Sequence, residues 1–595
     1  MHRERLLWLI LLLLAATLRL ADLGAAPLTS AEAVGALAAY RAAHGGGIPP
    51  EAREIPPLLF HAHVLLFALF HGSDGLARMV SALCGVGLTL TPLLLRRYLG
   101  PWGAAGSGLL LALSPTLLAL SRTIDGAIPA ALGVMLLVGA VARYLDSWRS
   151  AWISLGGVGL ALALTAGPTA WGLLLGLALA LAAGLWVWRE QAVWIWPMIR
   201  PALGRALTAF ALGLFAFGTG LGLHPAGLAA TGEQFVRWLF PEAGHTLNFV
   251  LQVLSEPLIL LTGVAGAALA LSRRHGMGLL WLFWAAVGIV EALLIPAPAS
   301  PVLWLVPLAG LGGLAVEELA RALQKSARGA PGWVYGALSL VLWIHSGLVL
   351  ARYSRYAQPA DLFLLGISLA LQVLLILLFS IALAVPEGDE PPEEATRRAL
   401  LFVLYRSGLV VGIVLLAVTF AAGWRVARVC PGEPTCAPGA VPAPVARDLR
   451  WLVAEAERIL TQTPARGEEG CRLRLVDSNP AVVWALRDLR SRFCPTESLS
   501  ENRPTQAKSP VGTSHSEPNA FASGERPALI VAPAGIPVPE GYYGTPFTLR
   551  RAWTLPRTSY EWTRWWLYRT PLSPLPPAEQ VVLWVREDLK LGQNQ

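Results

Sequence analysis

The chain has 595 residues, of which 55% are hydrophobic and only 14% charged, against roughly 25% charged residues in a soluble domain. The formal charge of +8 is small for this length and fits basic loops on anionic lipid, which sets nucleic-acid binding aside. Apolar runs of about 20 residues recur from Leu6 to Ala422, and in a bilayer such runs satisfy their own backbone groups only as helices.

In chain order, spans are predicted at 5–24, 76–97, 101–121, 124–145, 151–168, 170–188, 202–223, 247–271, 277–296, 300–322, 332–351, 361–384 and 400–423. The first run follows Arg3 and Arg5 and has the outline of a signal peptide, but the spans that follow make an anchor helix the simpler reading. The apolar stretch 56–72, "PPLLFHAHVLLFALFHG", sets the sidedness of everything after it. If it does not span, Arg96 and Arg97, Arg143 and Arg149, Arg200 and Arg205, Arg273 and Arg274, Arg321, Lys325 and Arg328, and Arg397 and Arg398 all share the side of Arg3 and Arg5. It is therefore read as an interfacial helix within a first external loop at 25–75, in a thirteen-span bundle with its N-terminus cytoplasmic and its C-terminus outside.

The expected fold class is thus an all-α polytopic membrane bundle, residues 1–425, with a small extracytoplasmic α/β domain at 430–595. In that domain, helix patterns at 443–461 and in "NPAVVWALRDLRSRF" alternate with the strand-like runs "CRLRLVD", "PALIVAP" and "VVLWVRE". Residues 496–526 are polar, rich in Ser and Pro and poor in aromatics, and are expected to be a disordered insertion. Cys84 lies in an apolar run, whereas Cys430, Cys436, Cys471 and Cys494 cluster in the C-terminal domain, where two disulfides and free thiols both fit the spacing.

Three places on the external face carry candidate chemistry. Glu32, in "PLTSAEAVGALAAY", is a candidate general base at the membrane surface; the alternative is a first-turn helix residue behind a Thr29 or Ser30 N-cap. Arg122 and Asp125 lie at the junction of two apolar runs in "LSRTIDG", spaced to pair as a clasp or to serve a site. The segment 224–246 holds His224, Glu233, Arg237, Glu242 and His245; Arg237 suits a lipid phosphate or simple snorkelling beside Trp238, and the histidines are not at metal-ligand spacing. Within the spans the ionisable residues are few, namely Arg78, Glu256, Glu291 and Arg406, and they outline no transport path.

The segments "LRLADLGAAPLTSAEAVGALA", "PPLLFHAHVLLFALFHGSDGLARMVSALCGVGLTLTPLLLRRYLG" and "LLLALSPTLLALSRTIDG", in that order, resemble the membrane glycosyltransferases of the C superfamily. The branch they are most similar to is family 39, which includes the dolichyl-phosphate-mannose protein mannosyltransferases. "RDLRWLVAEAERI", "NPAVVWALRDL", "RPALIVAP", "EWTRWWLYR" and "VVLWVRED" resemble the C-terminal domain of a prokaryotic subgroup named for association with lipid-linked glycan flipping.

The resemblance implies a sugar donor on a polyprenyl phosphate, a glycan or protein acceptor outside the plasma membrane of a prokaryote, and no cofactor, with a divalent cation left open. In the family the aspartate of an Asp-Glu pair in the first external loop is the proposed base, and the resemblance matches Asp125 to a second acid and Arg122 to its neighbouring arginine. On that footing Glu32 is the base or its substitute, Asp125 positions the acceptor or Glu32, and Arg122 or Arg237 neutralises the donor phosphate. The resemblance also implies a helix in the first loop that does not cross. The family's Asp-Glu pair reads Ala31-Glu32 here, and "IPAPASPVLWLVPLAG" lacks the Glu-Lys that the subgroup has before a late span. A silent scaffold for lipid-linked glycan export, and more distantly a transporter, are the readings from other classes.

Overall fold

The computed structural model describes residues 2–187, 195–241, 247–295, 300–326, 330–386, 391–429, 448–462, 472–476, 479–492, 527–537, 540–551, 556–570 and 575–589. The insertion expected at 496–526 lies outside the described residues, as do Cys430, Cys436, Cys471 and Cys494.

Two compact units are present. The larger takes in Met1–Ala26, Val34–Ala443 and Trp553–Leu575, and the smaller Pro27–Ala33, Pro444–Ala552 and Pro576–Gln595. The larger is a helical bundle. Among the described residues, nine helices are long and apolar enough to cross a membrane, or eleven if each of two bent pairs counts as one span. Helices His2–Leu20 and Ser150–Ala166 occupy the two remaining expected positions. The chain is therefore a multi-pass helical membrane protein. Helix Pro57–Phe70 has 14 residues, about 21 Å of rise, which is short of a bilayer core.

The bent pairs are the main departure from the expected straight spans. Pro101–Leu113 and Pro115–Ser121 meet at 63°, and Phe249–Ser255 and Pro257–Arg273 meet at 86°. In each, a proline opens the second half. Its missing N–H and its steric conflict with the preceding residue end the first half at "LSP" and "SEP".

Helix contacts in the bundle are made by small residues. A Cβ on Gly133 would lie 2.5 Å from the Gly159 carbonyl oxygen, and one on Gly159 would lie 2.7 Å from that of Gly133. Gly103 and Gly313 are reciprocal in the same way, at 2.7 and 2.6 Å. Lipid tails are as apolar as leucine, so close backbone approach and dispersion hold such helices together.

The smaller unit is built on a four-stranded sheet of order β1-β2-β4-β3, with β1 Leu473–Leu475, β2 Leu529–Pro533, β3 Tyr542–Arg551 and β4 Pro577–Arg586. β1 runs parallel to β2, and β4 runs antiparallel to both β2 and β3. β2 and the centre of β4 are continuous apolar runs buried on both faces, hence their legibility. β3 was not expected: its "YYGTPFTLRR" contains Gly and Pro and alternates poorly, and the proline falls where the strand has β4 on one side only. Helix Ser559–Tyr568 lies between β3 and β4 in sequence yet belongs to the larger unit.

Gly133→Val should force the helices Ala127–Ser147 and Ser150–Ala166 apart and cost about 1–3 kcal/mol. Thermal unfolding in detergent, compared with Gly204→Ala, which has open space around it, checks this.

Candidate functional site

The end of the first helix is where the larger unit concentrates its buried charge. Helix His2–Leu20 stops at Leu20, and its last carbonyls have no partners within the helix. Arg122 supplies them. Its Nη1 donates to the carbonyls of Leu18, Arg19 and Ala21 at 3.0, 3.1 and 2.9 Å, and its Nη2 to that of Asp22 at 3.1 Å. Arg78 continues along the same segment, donating to the carbonyls of Leu23 at 3.3 Å and Ala26 at 2.8 Å.

Arg19 performs the same service at the first helix break, donating to the Leu111 and Ala112 carbonyls at 2.9 and 3.1 Å, which the bend at Ser114 deprives of helical partners. Gly85 makes room for it, since a Cβ there would sit 2.8 Å from Arg19 Nε. Arg428 pairs with the carboxylate of Asp22, a residue whose φ of 50° suits a short polar side chain.

Arg19, Arg78 and Arg122 are all buried, at 1, 5 and 8% exposure. Burial pulls the Arg122 guanidinium down to about 10; the neighbouring Arg78 and Arg428 act in the same direction and Asp22 opposes them. It remains protonated at neutral pH. Together with Arg428 these three side chains make a group of four arginines drawn from four helical elements, a local positive field.

Asp125 caps the next helix: its Oδ1 accepts from the Ala127 amide at 2.6 Å, and Ser81 Oγ donates to its carbonyl at 3.0 Å. The preceding helix ends at Ser121, with Arg122 as its C-cap, so Arg122 and Asp125 sit in a turn and do not share a helical face. The expected i, i+3 relation fails for that reason.

Glu32 belongs to the smaller unit. It lies in the first turn of helix Ser30–Ala43, accepts from the Thr29 amide at 2.9 Å, and gives its own amide to Thr29 Oγ1 at 3.2 Å. This reciprocal pair is a capping box. The capping alternative from the sequence is therefore present, and Glu32 is nevertheless buried, at only 5% exposure. In the same unit Ser30 Oγ donates to Asn479 Oδ1 at 3.0 Å, and Asn479 Nδ2 donates to Glu579.

Arg237, in the last turn of helix Gly227–Leu239, reaches the segment Pro50–Glu54, with Nη1 2.5 Å from the Glu54 carbonyl and Nη2 3.2 Å from its carboxylate. Its chain neighbour Trp238 donates to Glu291 Oε1 at 2.6 Å. Glu242 and His245 lie outside the described residues. Among the described residues no three His, Cys, Asp or Glu are placed to hold a metal ion.

Two features escaped the sequence reading. Glu256, flagged only as an ionisable residue within a span, sits at the second helix break fully buried. Its Oε1 accepts from Ser114 Oγ at 2.7 Å and the Thr116 amide at 2.8 Å, so one carboxylate joins both breaks. Arg569, the C-cap of helix Ser559–Tyr568, donates to Ser255 Oγ at 3.3 Å and its carbonyl at 3.4 Å while lying over the Trp565 ring at 4.4 Å. The "LSP" and "SEP" punctuation was the available signal for the first, and nothing local signals the second.

His61 and His224 form a further pair. His61 Nδ1 faces the Phe217 carbonyl at 3.0 Å and must donate, so its Nε2 accepts from His224 Nδ1 at 3.3 Å.

No family model matches the chain, and no curated protein sequence matches it. Among solved structures the chain is similar to ArnT from Cupriavidus metallidurans bound to undecaprenyl phosphate, at 17% identity over 81% of this chain and 84% of that chain, with a TM-score of 0.49. Its apo state gives the same identity and coverage with a TM-score of 0.48. The oligosaccharyltransferase of Archaeoglobus fulgidus in complex with Zn and sulfate is similar at 13% identity over 80% of this chain and 61% of that chain, with a TM-score of 0.38.

Arg122→Ala should strand the carbonyls at the end of the first helix and cost about 3 kcal/mol, read as a lowered unfolding midpoint in detergent. His224 is held below its ordinary value by burial, by His61 and by Arg53. The unfolded chain therefore takes up this proton first, so the contribution present above about pH 6.5 is lost as pH falls from there through the lower folded-state value. The stability difference between pH 7.5 and pH 5 should shrink in His224→Gln.

Proposed function

We propose that the chain is an integral-membrane glycosyltransferase that moves a sugar from a polyprenyl-phosphate donor to a glycan or protein acceptor outside a prokaryotic plasma membrane. The observation that carries this reading is the buried arginine group at the end of the first helix, in the stretch where the sequence resembles the lipid-phosphate-sugar transferases. In the reaction the bond between the sugar and the donor phosphate breaks as the acceptor oxygen bonds the same sugar carbon. The acceptor's proton passes to a carboxylate, and polyprenyl phosphate departs with its negative charge.

In this reading Glu32 is the base, or the substitute for the family's aspartate that Ala31 replaces, Asp125 positions the acceptor or Glu32, and Arg122 neutralises the leaving phosphate. Arg237 was assigned to the phosphate as well; its bonds to Glu54 favour a role in holding the Pro50–Glu54 segment. The proposed sidedness keeps the N-terminus cytoplasmic and residues 430–595 outside, with 56–72 at the interface, following the loop arginines.

Ala31, where the family has aspartate, favours a second reading, a silent scaffold in lipid-linked glycan export. One variant separates the two. Glutamine at N3 serves a capping box as glutamate does, so Glu32→Gln should fold normally and yet lose about 10² to 10⁴ in sugar transfer, assayed in nanodiscs with polyprenyl-phosphate sugars. Undiminished transfer in Glu32→Gln removes the base assignment. Donor binding with no transfer by the wild type, together with complementation by Glu32→Gln and Asp125→Asn, establishes the scaffold.

A further inference from the structure

A second polar site lies in the larger unit where helix Thr169–Val187 begins, helix Gly276–Leu294 ends and helix Gly227–Leu239 ends. Glu291 is its centre. The residue is 7% exposed; Oε1 takes the Trp238 indole N–H, and Oε2 has no partner among the described residues. Gly172 is shaped to this carboxylate, because a Cβ there would fall 2.1 Å from Oε1.

Around the acid stand three aromatic rings in contact. Trp171 and Phe235 are 5.0 Å apart at 69°, and Phe235 and Trp238 are 5.7 Å apart at 37°. Phe235 is 40% exposed. Two buried donors, Trp171 Nε1 and the Nε2 of Gln234, also have no partner among the described residues. Gln234 precedes Trp238 by four residues and so shares its helical face.

A lipid-facing aromatic belt accounts for rings at a span end, but not for a buried carboxylate oxygen and two buried donors left unsatisfied. A ligand with both hydroxyls and a weakly polar face accounts for all of them. Hydroxyls both donate and accept, so a set of them suits a carboxylate oxygen and N–H groups alike. The electropositive C–H face of a pyranose suits the negative face of an aromatic ring.

We propose that Glu291, Gln234, Trp171 and Phe235 form a sugar-binding subsite that holds a pyranose ring through stacking and hydroxyl contacts. This deepens the transferase reading, resting on it for the origin of the sugar but not for the binding itself.

The test is saturation-transfer NMR on the full chain in nanodiscs with methyl glucoside, methyl galactoside, methyl mannoside and methyl N-acetylglucosaminide as probes. The wild type should transfer saturation to the ring protons of at least one. Phe235→Leu, at an exposed position, and Glu291→Gln, which keeps the Trp238 bond and the shape, should each weaken that glycoside by about threefold to tenfold. Unfolding midpoints within the wild-type range confirm that both variants are folded.

No transfer to any probe from folded wild type, or unchanged affinity in both variants, overturns the subsite. Glycoside contact that persists in Glu32→Gln, whether or not the protein transfers sugar, supports the subsite and keeps its fate separate from that of the catalytic reading.

Discussion

A helix that ends inside an apolar environment leaves its last carbonyls without water to turn to, and the larger unit is organised around meeting that requirement with arginine. Arg122 serves the end of the first helix, Arg78 the segment that follows it, and Arg19 the carbonyls exposed by the break at Ser114. A guanidinium is well suited because its several donors are held in one plane and its charge strengthens each bond. The same choice concentrates positive charge in a buried place.

The two helix breaks follow the same logic with the opposite charge. Proline ends each first half, and the freed amide and hydroxyl of the following turn converge on Glu256, which one oxygen satisfies. Arg569 arrives beside it from a part of the chain some three hundred residues away, and burial holds its guanidinium down to about 10, with Glu256 opposing. Non-helical backbone at membrane depth is tolerated when it is enclosed by protein in this way. Breaks of this kind often mark functional positions in membrane proteins, and here they lie one helix turn from the arginine group, through Leu111 and Ala112.

Much of the bundle was legible because the signal for a span is a sum over about twenty residues and is insensitive to detail. Each of the thirteen expected positions carries a helix. Bends were not legible from apolarity, although Ser114-Pro115 and Glu256-Pro257 carried the local information. In the smaller unit the doubly buried strands β2 and β4 announced themselves, whereas β3, mixed in pattern, did not. The candidate acids divide similarly. Glu32 could be read as a capping residue from Thr29 three positions before it, but its burial depends on chain brought in from residues far away.

The sequence by itself determined that this is a helical membrane protein with a small α/β unit, which residues have the chemistry for catalysis, and which motifs resemble the lipid-phosphate-sugar transferases. Hydropathy and short capping patterns are local sums, and local sums survive without coordinates. Only the tertiary structure decided where the charges go. Arg122 caps a helix a hundred residues earlier, Arg237 turns to Glu54, and Glu291 meets Trp238 beside a glycine that leaves room for it. Such pairings are set by which helix ends meet and which small residues let them meet closely. That is a property of the packed bundle and of no single stretch of chain.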